Sequence, residues 1–481
     1  MLRLMGRHAP GWVIIESAVA ALISLASMLL IARAIGPDAA GTGAVALAAL
    51  MLLDLGCASL FTDALVQRPR LEPRHGNSAV IAQVTVGLLA GMMLALAAPL
   101  LAAGAAMPQV THLVWAVAPL LPISAFSGAV SGLVLRGQRF RLLAMRALLG
   151  LPASLLAGLV VAHAGGGAWA MVAQQVVATL VTFLVLLLGG RPRLHLSFSW
   201  GALGELWPVA GPQVLAVVMQ VGRYRVFILA LSLITAEAVV AVSNIAMRLL
   251  DAALAVVWGS ISRISLPRLS ALQTDRAKLA ECYGAIAQLE ALLGMAIASG
   301  VALTAPDLVR ALMGPAWAEA AEAAHVVGWV AAISFCYGDA TALFVAVGQA
   351  RRNVVICAVS AVVPLLTLLL LRPTTPSGVA VCWAAGSLSL VPWVSWMVLR
   401  ELRRTPAWLL RQILPAVLAT LAMALAVTLL QNGPAAQWSA MPRLLASAVL
   451  GATVFGLVAW FALGRRMPGA LRAHAAAMPA E

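Results

Sequence analysis

Residues 78–103 read SAVIAQVTVGLLAGMMLALAAPLLAA, twenty-six positions without one charged side chain. As a helix this run rises about 39 Å at ~1.5 Å per residue, more than the ~30 Å of a bilayer's hydrocarbon core. It reads as a membrane span. Working outward against the Pro, Gly and Arg clusters, the same reading predicts fourteen spans, near 11–33, 39–63, 78–103, 111–135, 142–163, 167–188, 205–231, 238–262, 282–304, 323–347, 353–371, 377–399, 409–430 and 443–463. With 63% hydrophobic residues, 10% charged and a mean hydropathy of +0.99, the chain has no room for a large aqueous domain. The expected fold class is an all-α integral membrane protein.

An even number of spans puts both termini on one side. The first span follows Arg3 and Arg7 and is too long for a signal-peptide core, so it reads as an uncleaved anchor with the N-terminus cytoplasmic. Basic residues agree: 24 of the 31 fall in the loops and tails assigned to the inner side. Arg33, Arg310, Arg372 and Arg443 fall on the other side, and Arg223, Arg225 and Arg248 fall within spans. The net charge of +14 is thus explained by topology and implies no nucleic-acid partner.

The five cysteines lie in or beside apolar runs with no CxxC pair, and the seven histidines are dispersed, so neither a disulfide nor a metal site is expected. The sole lysine, Lys278, is not part of a GxxxxGK sequence. No cofactor is called for, and transport by this chain cannot draw on its own P-loop.

Internal repetition organises the spans. Leu133–Arg141 ends span four and Phe344–Arg352 ends span ten, each with Gly-Gln followed by basic residues; Leu52-Leu53-Asp54 recurs as Leu249-Leu250-Asp251. A parallel repeat of six spans predicts an N-lobe over 1–188, a cytoplasmic linker over 189–204 and a C-lobe over 205–400, with two unpaired spans and a cytoplasmic tail over 401–481.

The segment Leu30-Ile31-Ala32-Arg33-Ala34-Ile35-Gly36-Pro37, continuing through Leu53-Asp54-Leu55-Gly56 to Val66-Gln67-Arg68, resembles the first hairpin of bacterial polysaccharide-repeat-unit (Wzx-type) flippases. Trp207-Pro208-Val209-Ala210-Gly211-Pro212, Ser265–Ser270 and Leu312–Trp317 extend the resemblance over roughly 10–400. That family shares a superfamily, MOP, with MATE exporters and the lipid II flippase. The resemblance implies a secondary transporter and not an enzyme. It would flip a polyprenyl-diphosphate-linked oligosaccharide across the bacterial cytoplasmic membrane by alternating access, for exopolysaccharide, O-antigen or capsule synthesis. Its partners would be membrane lipids and the polysaccharide polymerase or export machinery. A lipid II flippase and a MATE-like cation-coupled exporter are the competing readings. Residues 235–241 lack the glycine the family often has between spans seven and eight.

The mid-span charges give an independent argument. An arginine at the bilayer centre costs about 2.5–3.5 kcal/mol on insertion scales, so it faces a watery cavity or an acidic partner. On span seven Gln213, Gln220 and Arg223 share a face, with Arg225 about 200° away; on span eight Asn244, Arg248 and Asp251 form one stripe. Gln220, Arg223, Asn244 and Arg248, with Arg225 and Arg33 behind them, are the candidate diphosphate-binding residues, since guanidinium groups grip phosphate bidentately. The plainer alternative pairs Arg248 with Asp251 and Arg225 with Glu290 or Asp251. Glu16, Asp339, Asp54, Asp251 and Glu290 are the candidates for a coupling proton or sodium ion.

Overall fold

The computed structural model describes residues 11–68, 70–190, 195, 197–349 and 351–465, with side chains throughout except at 11–22, 220, 255, 256, 258–260 and 262–264. Every long element is a helix, and the described residues contain no strand. This follows from the solvent: hydrocarbon offers backbone N–H and C=O groups nothing, so each segment must satisfy its own.

Two compact units emerge, residues 1–241 and 242–481. The first begins with α1 (Gly11–Ser59), 49 residues long. A straight helix of that length would reach about 74 Å, but α1 is broken at Gly36 (φ 79, ψ 170), a conformation that glycine adopts without strain, and Pro37 follows without an N–H to orphan. The spans expected at 11–33 and 39–63 are therefore the two arms of one helical stretch. Then come α2 (Thr62–Gln67), α3 (Pro73–Gly104), α4 (Gln109–Val117), α5 (Leu120–Arg136), α6 (Phe140–His163), α7 (Trp169–Gly190) and α8 (Trp200–Ser232). The unit boundary falls inside α9 (Glu237–Ala271).

The second unit continues with α10 (Arg276–Leu312), α11 (Ala318–Ser334), α12 (Ala340–Ala346), α13 (Arg351–Leu371), α14 (Pro376–Leu402), α15 (Pro406–Asn432) and α16 (Ala440–Ala462). Among the described residues, twelve helical segments are long and apolar enough to cross a membrane, against about fourteen expected. One difference is that the first segment, Ile23–Gln67, contains both arms flanking Gly36; the other is α9, part of whose side chains lies outside the described residues.

The span expected to open the C-lobe is α8, which packs on α1, α2 and α3 in the first unit. The two ends that share Gly-Gln are closed by the same device. A left-handed residue, Gln138 (φ 51) after α5 and Gly348 (φ 75) after α12, lets the next amide reach back: Arg139 N–H to Val134 O at 3.1 Å and Gln349 N–H to Phe344 O at 2.7 Å. The structural match thus pairs Gln138 with Gly348, one position off the sequence match. The turn from α8 to α9 closes without glycine, because the Thr235 amide and hydroxyl both donate to Leu231 O, at 3.0 and 3.1 Å.

In the second unit α10 is the hub, packed by α11, α14, α15 and α16. Small residues make this possible: Ala280, Ala287, Ala291, Ala298, Ala302 and Ala305 are fully or nearly fully buried and let neighbouring backbones approach. Near its C-terminal end Asp307, 1% exposed, receives Arg443 of α16, whose Nε lies 2.8 and 2.9 Å from the two carboxylate oxygens. Removing one partner of such a pair strands the other charge, which costs about 3–5 kcal/mol. Asp307→Asn and Arg443→Gln should each lower the thermal stability of the detergent-solubilised protein sharply, and Asp307→Leu with Arg443→Leu should recover most of it. A single variant melting with the wild type would show that the pair contributes nothing.

Candidate functional site

The residues singled out by charge divide between the units. In the first, α8 starts at Ser199, whose hydroxyl accepts the Ala202 amide at 3.3 Å, and Pro208 and Pro212 interrupt its hydrogen-bond ladder. Gly222 turns toward α1, where an added Cβ would sit 3.4 Å from Leu52 Cδ1, and Phe227, Ile228 and Leu231 are buried. Arg223 is exposed. Arg225 is half-buried, its guanidinium 5.5 Å from the centre of the Tyr224 ring. Arg33 is exposed on α1 just before the Gly36 break, and the Gln220 side chain lies outside the described residues.

In the second unit the α9 stripe runs from buried to open. Asn244 is 8% exposed, Arg248 is half-buried and Asp251 is exposed. One helix thus carries a buried amide, a cation and an anion along a single face, a graded polar track inside an apolar chain.

The candidate acids prove unlike one another. The Glu16 side chain lies outside the described residues. Asp54 is half-buried, with one carboxyl oxygen enclosed and unmatched by any hydrogen-bond partner. Asp339 has a structural role, because it caps α12, its Oδ1 accepting the Ala342 amide at 3.0 Å. Glu290 is 1% exposed, and its Oε2 has no hydrogen-bond partner.

The surroundings of Glu290 set it apart. Tyr283, Ala287, Glu290 and Gly294 form one face of α10, at intervals of four, three and four. That face packs on the break between α11 and α12, residues 335–339. The Tyr283 hydroxyl donates to Tyr337 O, and a Cβ on Gly294 would fall 2.4 Å from Phe335 Cδ1. A buried carboxyl therefore lies on the helix face that meets this break, where the Tyr337 carbonyl is taken up by Tyr283.

Two features of the first unit lie outside the candidate residues of the sequence reading. A cavity of about 740 Å³ is lined by Asp38, Thr42, Gln109, His112, Trp169 and Glu237, among others. Thr42 donates to the Glu237 carboxylate across it, and α1 comes so close to α9 that a Cβ on Gly41 would lie 2.0 Å from Glu237 O. The second is Glu205 on α8, which meets Arg68, Arg74 and His75. One sequence signal does point to it. Glu205 is the single carboxylate between Glu72 and Glu237, a stretch holding nine arginines.

The family described as polysaccharide biosynthesis protein matches residues 30–322. The chain belongs to that family. No curated protein sequence matches it. Among solved structures, the lipid II flippase MurJ in an inward closed conformation superposes with a TM-score of 0.75 at 11% identity, over 93% of this chain and 98% of that one. An inward-facing multidrug resistance MATE transporter of the MOP superfamily gives 0.66 at 14% identity, over 81% of this chain and 98% of that one. The fold is the one these two membrane proteins share.

Capping and coupling make different demands on Asp339. If it only caps α12, Asp339→Asn retains the acceptor and stability, whereas Asp339→Ala costs about 0.5–2 kcal/mol. Thermal unfolding in detergent should rank wild type and Asn together above Ala. An Asn variant that keeps its stability but loses the dependence of transport on an ion gradient would return Asp339 to the coupling site.

Proposed function

We propose that this protein moves a polyprenyl-diphosphate-linked oligosaccharide from the inner to the outer leaflet of the bacterial cytoplasmic membrane by alternating access, for polysaccharide biosynthesis. The observation that carries this reading is the set of arginines kept inside apolar helices of a chain in the polysaccharide biosynthesis family, Arg223 on α8 and Arg248 on α9. Each would serve a diphosphate, because a guanidinium forks onto phosphate oxygens. The isoprenoid tail stays in the bilayer throughout, so only the headgroup must be shielded from hydrocarbon. A lipid II headgroup asks for the same cations and differs in its sugar and peptide. A MATE-like exporter of cations fits these arginines poorly. The polysaccharide polymerase and export machinery would receive the product.

Glu290 supports a coupled mechanism. A carboxyl with a bare oxygen in the interior of the second unit, opposite a helix break, can take up and release a proton or sodium ion. Without coupling, the membrane potential acting on an anionic headgroup remains a driving force of about 2.3 kcal/mol per charge per 100 mV.

Flipping of a lipid-linked oligosaccharide in proteoliposomes tests the reading. Arg223→Ala and Arg248→Ala should abolish it, with partial recovery in the Lys variants, which keep the charge but not the fork. Glu290→Gln should flip at a rate that no longer responds to imposed proton or sodium gradients. Full activity in a well-inserted double alanine variant would remove the diphosphate role.

Orientation is tested separately. In a cysteine-free protein, thiols placed at the exposed positions Arg70 and His195 should react with an impermeant reagent only after permeabilisation, and those at Gln109 and Ala316 without it. The reverse pattern would invert the proposed topology.

A further inference from the structure

Several arginines at helix ends of the first unit are matched by acids or carbonyls: Arg68 by Glu205, Arg136 by the last carbonyls of α2, Arg139 by Gly189 O at 2.6 Å and Gly190 O at 3.2 Å. The turn from α14 to α15, in the second unit, is different. Arg400, Arg403, Arg404 and Arg411 fall within twelve residues there, and among the described residues no carboxylate pairs with any of the four. The one acid among them, Glu401, is turned away. It shares the α14 face of the buried Met397, and its Oε2 takes Arg352 at 3.3 Å and Gln349 at 3.0 Å at the start of α13.

The backbone of the turn is compact. Arg403 closes α14 in the left-handed conformation (φ 51, ψ 45), its amide donating to Arg400 O at 3.4 Å and that of Arg404 to Leu399 O at 3.0 Å. Glycine would end the helix this way with less strain, so the exposed Arg403 side chain is carried at a cost in stability. Two neighbouring cations lie on indoles: the Arg400 guanidinium is 5.3 Å from the centre of the Trp396 ring, and that of Arg404 is 5.8 Å from Trp408. Trp408 is seated against α10, where a Cβ on Gly284 would fall 2.9 Å from its Cζ2. Arg411 follows Trp408 by three residues, on the same side of α15. Stacking holds a guanidinium by its face and leaves free the N–H edge, the part that forks onto phosphate oxygens.

Beyond the cations the surface turns apolar at once. Leu414 and Leu418 of α15, 50% and 45% exposed, continue the face that carries Arg411, and Trp396 of α14 is 54% exposed. A tryptophan open in this way belongs at the level of lipid headgroups, with water on one side and hydrocarbon on the other. α14 packs on α11 and α13 and α15 on α10 and α16, so the two helices part directly after the turn. Four cations without an acid thus stand at the head of two apolar faces.

We propose that the α14–α15 turn binds the headgroup of an anionic phospholipid, its phosphodiester on Arg400, Arg403, Arg404 and Arg411 and its acyl chains along Leu414 and Leu418. The occupant is a lipid of the surrounding bilayer and not the cargo, so the inference goes beyond the function proposed above and does not depend on it. Charge selects the headgroup: a zwitterionic lipid brings an ammonium group of its own to a cluster with no carboxylate to receive it, whereas a phosphodiester without an amine brings only the anion that the cluster lacks. The acyl chains add little affinity, because they leave lipid for an equally apolar surface. An acidic protein segment would have use for the arginines but none for the open tryptophan and the leucines beyond them. A lipid held here ties together the ends of two helices that otherwise part.

The test places the full chain in phosphatidylcholine nanodiscs with photoactivatable phosphatidylglycerol or phosphatidylcholine probes of identical acyl chains, reading label positions by peptide mass spectrometry and affinity by titration of the probe. The phosphatidylglycerol probe should label residues 396–418 and be competed by unlabelled phosphatidylglycerol but not by phosphatidylcholine. Arg400→Gln and Arg404→Gln should each weaken its binding about fivefold, ~1 kcal/mol. Arg403→Gly should weaken it similarly while the protein melts at the wild-type temperature or above, because glycine relieves the left-handed residue. Arg276→Gln, which alters an exposed cation at the start of α10, should leave binding unchanged. An equal loss from Arg276→Gln would reduce the attraction to net charge and overturn the site, as would equal labelling by the two probes or labels confined to other segments. No preference for phosphatidylglycerol, together with capture of a poly-glutamate peptide at the turn, would replace the lipid by an acidic protein partner.

Discussion

In hydrocarbon an unmatched backbone amide costs several kcal/mol, and that one constraint decides where this chain can bend. Helices run until a break can be provided for. At Gly36 the kink uses a glycine and a proline, which together tolerate the break and leave one fewer N–H to satisfy. At 335–339 the released groups are recruited: Tyr283 donates to Tyr337 O, and the Asp339 side chain caps the helix that follows. After α5 and α12 a left-handed residue folds the chain back onto its own carbonyls. Each irregularity is thus a place where polar groups were already in hand, and both Glu290 and the Arg68–Glu205 contact lie beside such breaks.

Charge obeys the same rule with larger penalties. Several arginines near helix ends are matched there: Arg443 on Asp307, Arg136 on the carbonyls of α2, Arg352 on Glu401 at 3.3 Å. Against that background the α8 and α9 arginines are unusual in lying on helix faces that also carry amides and, on α9, an acid. Such mixed faces make poor lipid contacts and serviceable walls for a polar cargo.

Much of this is legible in the sequence because it depends on local composition. Apolar runs mark helices, and the two Gly-Gln stretches mark helix ends that close in the same way. What the sequence does not show depends on distant contacts. Asp339 and Glu290 read alike as mid-span acids, but one is a helix cap and the other a carboxyl with an unmatched oxygen, a difference set by the register of α10 against the α11–α12 break. Asp307 and Arg443 are 136 residues apart and give no pairwise signal. The span count differs in part because the two expected spans 11–33 and 39–63 run on as one helical stretch broken only at Gly36.

The position of Glu205 says more than its charge. A chain with a net charge of +14 gains little overall from one more acid, and this one stands alone among nine arginines. Two of the guanidinium groups it meets, with a buried imidazole, hold α8 to the turn between α2 and α3. Such a contact is firm when no other anion is present and conditional when one is, because the cations that make it are half open to a competitor.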